Sequence, residues 1–280
     1  MTVTSEVAVT LLHKFYTCAI NFRGVTMKML RYGTVLGGLV ILAFAVGFIF
    51  QLPFAVNLWP WQDGRYSYLF IGSILAAVSA AALWIGWTGE FGALPAGSLN
   101  ILVIAAGTAV YFFKLAMEGR AELSVFGIAS VFIALAGASA FFWSRKFPLR
   151  ESLPTPALVK VSFGIFVTAL ILAGGALIFR APIFPWALNP DSSVIFGCIF
   201  LGDAFYFLYG LHRPVWNNAK GQLLSFLAYD LVLIVPFLWL IPTIQPEFML
   251  NLIVYVAVLV YSSAVAIYFL FIHPQTRFRI

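Results

Sequence analysis

Apolar residues run along this chain in long blocks, with no strand-like alternation and no narrow stripe on one helical face. A helix needs about 20 mostly apolar residues, at ~1.5 Å rise each, to cross a bilayer. Eight blocks reach that length: residues 32–54, 67–87, 99–117, 123–144, 158–180, 193–212, 222–242 and 250–272. Turn formers punctuate them, among them Pro60 and Gly64, Gly89 and Pro95, Glu118-Gly119-Arg120, Pro148 and Pro154, Pro185 and Pro190, Pro214, and Pro242 with Pro246. The pattern predicts an all-α, polytopic integral membrane protein with eight transmembrane helices.

The blocks fall into two sets. Pro60-Trp61 returns as Pro185-Trp186 after 125 residues, and in that register Ser67 matches Ser192, Gly72 matches Gly197 and Ile74 matches Ile199. Four helices are an even number, so both sets enter the membrane from the same side. The expectation is a 4+4 parallel internal repeat. It divides the chain into an N-terminal cytoplasmic or interfacial segment (1–29), a first four-helix repeat (30–145), a cytoplasmic linker (146–157), a second repeat (158–273) and a cytoplasmic tail (274–280). The Pro-Trp motifs read as headgroup anchors, since the indole ring favours that boundary; short loops covering an outer cavity are the alternative. Small residues such as Gly37-Gly38, Ala136-Gly137 and Gly174-Gly175 suit close helix packing in lipid.

Composition agrees with this reading. Hydrophobic residues make up 62% of the chain and charged residues 9%, too apolar for a soluble domain of 280 residues. The net charge of +6 would suggest nucleic acid in a soluble protein. Here twelve of the 16 Lys and Arg fall on one side of the predicted topology: Lys14, Arg23, Lys28, Arg31, Arg145, Lys146, Arg150, Lys160, Arg213, Lys220, Arg277 and Arg279. That bias places both termini in the cytoplasm, and the location expected is a bacterial cytoplasmic membrane. The partners expected are membrane lipid and further membrane subunits, with no nucleic acid. Residues 1–29 lack the compact apolar core and cleavage site of a signal peptide. Val7–Leu12, broken by His13 and Lys14, reads as a short surface helix.

Candidate chemistry is sparse. Charges inside the membrane are costly and point to function. Asp203 and Asp230 qualify, on the sixth and seventh segments, at nearly the same depth on adjacent helices of one hairpin. Two close carboxylates in low dielectric do not both ionise cheaply, which suits sharing a proton or cation. Tyr206, Tyr229 and His212 are the polar neighbours expected to complete a substrate or ion site, with Tyr209 on the same polar line. Val78 and Ala105 occupy the corresponding positions of the first repeat, so any such site belongs to the second.

Other chemistries find no support. Cys18 and Cys198 form no disulfide framework, and there is no CxxC, HExxH or GxSxG. Trp87-Thr88-Gly89-Glu90-Phe91-Gly92 lacks the Lys and flanking elements of a phosphate loop. His13, His212 and His273 sit at segment ends, so no paired haem ligands, metal site or other cofactor is expected. Lys114, Glu118, Arg120 and Glu122 read as a solvated charge cluster. The chain reads as a non-enzymatic carrier of a small or apolar solute, with Asp203 and Asp230 as proton or cation partners. The alternative is a non-catalytic structural or accessory subunit of a membrane complex.

Overall fold

The structure, a computed structural model, describes residues 27–278. The expected surface helix at Val7–Leu12, together with Lys14, Cys18, Arg23 and Arg279, lies outside the described residues. The long helices are α1 (Met27–Ile49), α3 (Arg65–Thr88), α4 (Leu94–Met117), α5 (Ser124–Ser144), α6 (Ala157–Ile178), α7 (Pro190–His212), α8 (Trp216–Leu240) and α9 (Met249–Ile267). A short α2 (Pro53–Val56) follows α1, and the end of α9 widens into a π-turn over Tyr268–Ile272. Eight helices are therefore long and apolar enough to cross a membrane. Among the described residues the one β-type contact is a bridge between Pro154 and Val215.

Four boundaries differ from the sequence expectation, each for a physical reason. Pro95 and Pro190 stand in the first turns of α4 and α7, where the missing N–H costs nothing, so these helices start earlier. Trp216, Asn217 and Asn218 belong to α8 because they are buried and have polar partners, although they look like loop. Helix α1 stops at Ile49, where Gln51 takes a left-handed φ of 54° and Pro53 opens α2.

Helices pack as hairpins α4–α5, α6–α7 and α8–α9, and two long contacts, α3 against α8 and α4 against α7, join them. Helix α1 lies on α3, where Ser79 Oγ donates to the Gly38 carbonyl at 2.9 Å. Glycine permits the closest approaches. A Cβ on Gly197 would stand 2.7 Å from the Gly174 carbonyl oxygen, so α6 and α7 meet backbone to backbone. One on Gly202 would stand 2.9 Å from the Asn100 carbonyl oxygen, which makes the α4–α7 contact equally tight. In contrast, the consecutive helices α7 and α8 touch little. The hairpin expected to juxtapose Asp203 and Asp230 is not a packed pair.

The Pro-Trp motifs fold inward. Trp61 stacks on Phe112 of α4 at 5.8 Å, and Trp186 packs on Phe237 of α8 at 5.7 Å. Trp59 lies against Phe196 of α7 at 6.0 Å, while Phe184 lies edge-on to Phe70 of α3 at 5.2 Å. Polar bonds cross the same seam: Trp186 Nε1 donates to Ser67 Oγ at 3.1 Å. Asp63 accepts from Trp59 Nε1 at 2.7 Å and from Ser192 Oγ. This aromatic cap covers one end of the bundle and leaves Trp59, Trp61 and Trp186 half-buried, an arrangement that matches loops laid over the bundle's end. Trp87 and Trp239, at 78% and 75% exposure, hold the outward positions that headgroup anchors require.

The expected solvated charge cluster is also divided. Lys114 and Glu118 form an exposed pair at 3.8 Å, but Arg120 reaches across to Asp191 at the start of α7 at 2.6 Å. Arg180 Nη2 donates to Tyr111 Oη at 3.1 Å and lies 3.4 Å from the same carboxylate. At the other end the α3–α4 turn is clasped. Glu90, 3% exposed, accepts from the Arg150 backbone N–H at 3.2 Å and from Asn217 Nδ2 at 2.8 Å. Burial raises the Glu90 pKa above the ordinary carboxylate range, partly offset by those two donors.

Candidate functional site

A cavity of about 730 Å³ runs through the middle of the bundle, within the range that holds a small organic ligand. Its wall is drawn from α1, α3 and α4 on one side and from α6, α7, α8 and α9 on the other. Aliphatic and aromatic side chains dominate it, with Asn100, Asp203, Tyr206, Ser225, Tyr229, Asp230 and Tyr255 among the few polar groups. No Lys, Arg or His is among the described residues that line it.

Both predicted acids reach this cavity, each on its own terms. Asp203 of α7 is partly accessible and accepts from Asn100 Nδ2 of α4 through Oδ1 at 2.6 Å. Gly202 beside it allows the α4–α7 approach that makes this bond. Asp230 of α8 is fully buried, and its Oδ2 accepts from Ser262 Oγ at 2.7 Å and Ser263 Oγ at 3.1 Å on α9. Neither carboxylate is hydrogen-bonded to the other. Both acids line the cavity, but Asp203 is partly accessible whereas Asp230 is fully buried among its α9 partners.

The tyrosines sit among these groups without bonding to either acid. Tyr206 Oη is hydrogen-bonded to Ser225 Oγ at 3.2 Å, and Tyr229 pairs with Tyr255 of α9 through their hydroxyls. His212 lies exposed at the end of α7 and does not line the cavity. Tyr209 turns toward Phe141 of α5, with ring centres 6.0 Å apart. The polar line expected from Asp203 through Tyr206 to His212 therefore breaks at Tyr206, since Tyr209 packs on α5 and His212 is exposed.

The continuous polar line runs on α8. Asn218, Gln222, Ser225 and Tyr229 follow a spacing of i, i+4, i+7 and i+11, which stacks them on one helical face. Gln222, fully buried, donates through Nε2 to the Tyr206 carbonyl. Gly210 makes room for it, since a Cβ there would stand 2.9 Å from Gln222 Cδ. Asn218 Oδ1 and Gln222 Oε1 are buried acceptors without a protein donor; groups of this kind are usually satisfied by water. Asn100, the partner of Asp203, also went unnoticed in sequence: one amide in an apolar helix carries little signal. The α8 spacing was the signal for the rest.

The chain matches no protein-family model, and no curated protein or solved structure is similar to it.

Proposed function

We propose that the protein is a carrier that moves a small or apolar solute through this central cavity, with Asp203 as its proton or cation partner. The carrying observation is an acid that is partly accessible inside a mostly apolar cavity lined by helices from both ends of the chain. A carboxylate in such surroundings exchanges a proton or pairs with a cation when its environment changes, which is what coupling requires. Asp230, tied to two serines, serves as a second acid reached after a rearrangement of α8 against α9. The α8 polar face supplies a hydrated route between the cavity and the end that holds Glu90.

Twofold duplication fits the same reading, with repeats over 30–145 and 158–273. Exchanging the repeats turns the α3–α8 contact into the α7–α4 contact. It also turns Trp61 on Phe112 into Trp186 on Phe237, each residue 125 positions later. A cavity on such an axis opens alternately to either side when the halves rock. The basic bias supports termini on the cytoplasmic face of a bacterial membrane.

The test is proton movement in proteoliposomes loaded with pyranine, started by adding lipophilic amines and aromatic cations such as ethidium. The wild type should move protons faster than protein-free vesicles for at least one compound. Asp203→Asn should abolish that movement while eluting as wild type from a sizing column in detergent. A wild type no faster than empty vesicles across the panel, or an Asp203→Asn variant with full flux, contradicts the proposal.

A further inference from the structure

Helices α6 and α9 flank the cavity but pack on each other only slightly. They are clasped at two levels. Toward one end, the Tyr261 hydroxyl on α9 is hydrogen-bonded to Ser162 Oγ on α6 at 2.8 Å. Toward the capped end, Asn251 Nδ2 donates to the carbonyls of Pro182 at 2.9 Å and Phe184 at 3.2 Å, in the segment after α6. Ten residues of α9 separate Asn251 from Tyr261, a height of about 15 Å at the helical rise. That is roughly half the thickness of a bilayer's hydrocarbon core.

Between the clasps, Leu172 on α6 and Val254 and Val258 on α9 line the cavity and also face outward, at 68%, 56% and 44% exposure. A side chain that both lines a cavity and faces outward marks a place where the cavity opens sideways. Inside, the polar groups offer acceptors. Asn100 is 7% exposed, and its Oδ1 has no donor although its Nδ2 is spent on Asp203. With no basic residue among the described lining residues, an anionic group has no counter-charge there.

We infer that a single-chain amphiphile, with a head that donates hydrogen bonds and bears no negative charge, enters sideways from the bilayer through the α6–α9 window and seats its head on Asp203 and Asn100. The inference rests on the central cavity being the solute site, as proposed above, and it names the solute's class and route. The apolar tail lies along Leu172 and Val254, where burial against the wall replaces contact with lipid. The head exchanges water for Asn100 Oδ1, a buried acceptor without a donor, and for the partly accessible Asp203 carboxylate, which Asn100 bonds on one oxygen only.

Three photoactivatable probes test it: diazirine-bearing octadecylamine, octadecanol and octadecanoic acid, each in phosphatidylcholine nanodiscs holding the full chain. Labelled peptides are mapped by mass spectrometry. The amine and alcohol should label the window residues about tenfold more than the outward face of α5 around Phe132. The acid should label both faces alike. Unlabelled octadecanol should compete at the window and not at α5, which separates an exchanging ligand from bulk lipid. Leu172→Trp with Val254→Trp should remove the window signal and leave α5 unchanged. Labelling that ignores the head group, or that matches α5, overturns the inference. Because occupancy is read without a gradient, window labelling without coupled proton flux would sink the carrier reading alone. Flux without window labelling would sink the window alone.

Discussion

At the scale of single residues, the two membrane acids take different parts. Asp203 keeps one amide partner and an aspect on the cavity, whereas Asp230 anchors α8 to two hydroxyls of α9. Removing Asp230 leaves Ser263 without the acceptor it is seen to use, and a buried group left unsatisfied costs about 1–3 kcal/mol. Asp230→Ala should therefore lower the thermal midpoint in detergent clearly, and Asp203→Ala much less. Equal losses in the two variants would contradict the division of roles. Sequence alone located both acids, because a carboxylate in an apolar block stands out. It did not reveal that each has a separate partner, since Asn100 lies on a different helix from Asp203, 103 positions away.

At the scale of elements, helix existence was legible and helix contact was not. Apolar length gave the spans, while Pro95, Pro190 and the buried Asn217 and Asn218 moved their ends. Glycine positions foretold close packing in part: Gly38, Gly137 and Gly174 stand at helix contacts where a Cβ would crowd a neighbour, whereas Gly37 and Gly175 have open space beside them. What the pattern concealed was that α7 packs on α4 in preference to α8, because an all-apolar helix does not declare which face meets which partner. The inward packing of the Pro-Trp loops was hidden for a related reason: a tryptophan at a segment end suits a headgroup and an aromatic cap equally well. Within that cap, burial raises the Asp63 pKa above its usual 3.8, opposed by the bonds from Ser192 and Trp59. A carboxyl with a raised folded pKa contributes stability below 3.8 and loses it as pH climbs through the raised value. The cap should thus loosen as pH rises above 3.8, seen as a Trp fluorescence shift, and Asp63→Asn should flatten that shift. A wild-type signal independent of pH would contradict the assignment.

At the scale of the whole molecule, helices from both ends of the chain line a central cavity, with crossed aromatic loops over one end and the two hydrogen-bonded clasps between α6 or its following segment and α9 at its side. The direct test of this account is which acid position can be reached from the cavity. With Cys18 and Cys198 replaced by Ala, single variants Asp203→Cys and Asp230→Cys are reconstituted and treated with N-ethylmaleimide, which partitions into bilayers. The account predicts rapid modification at position 203 and little at position 230 while the protein stays folded. Equal modification of both positions, or protection of 203 from the reagent altogether, would contradict it.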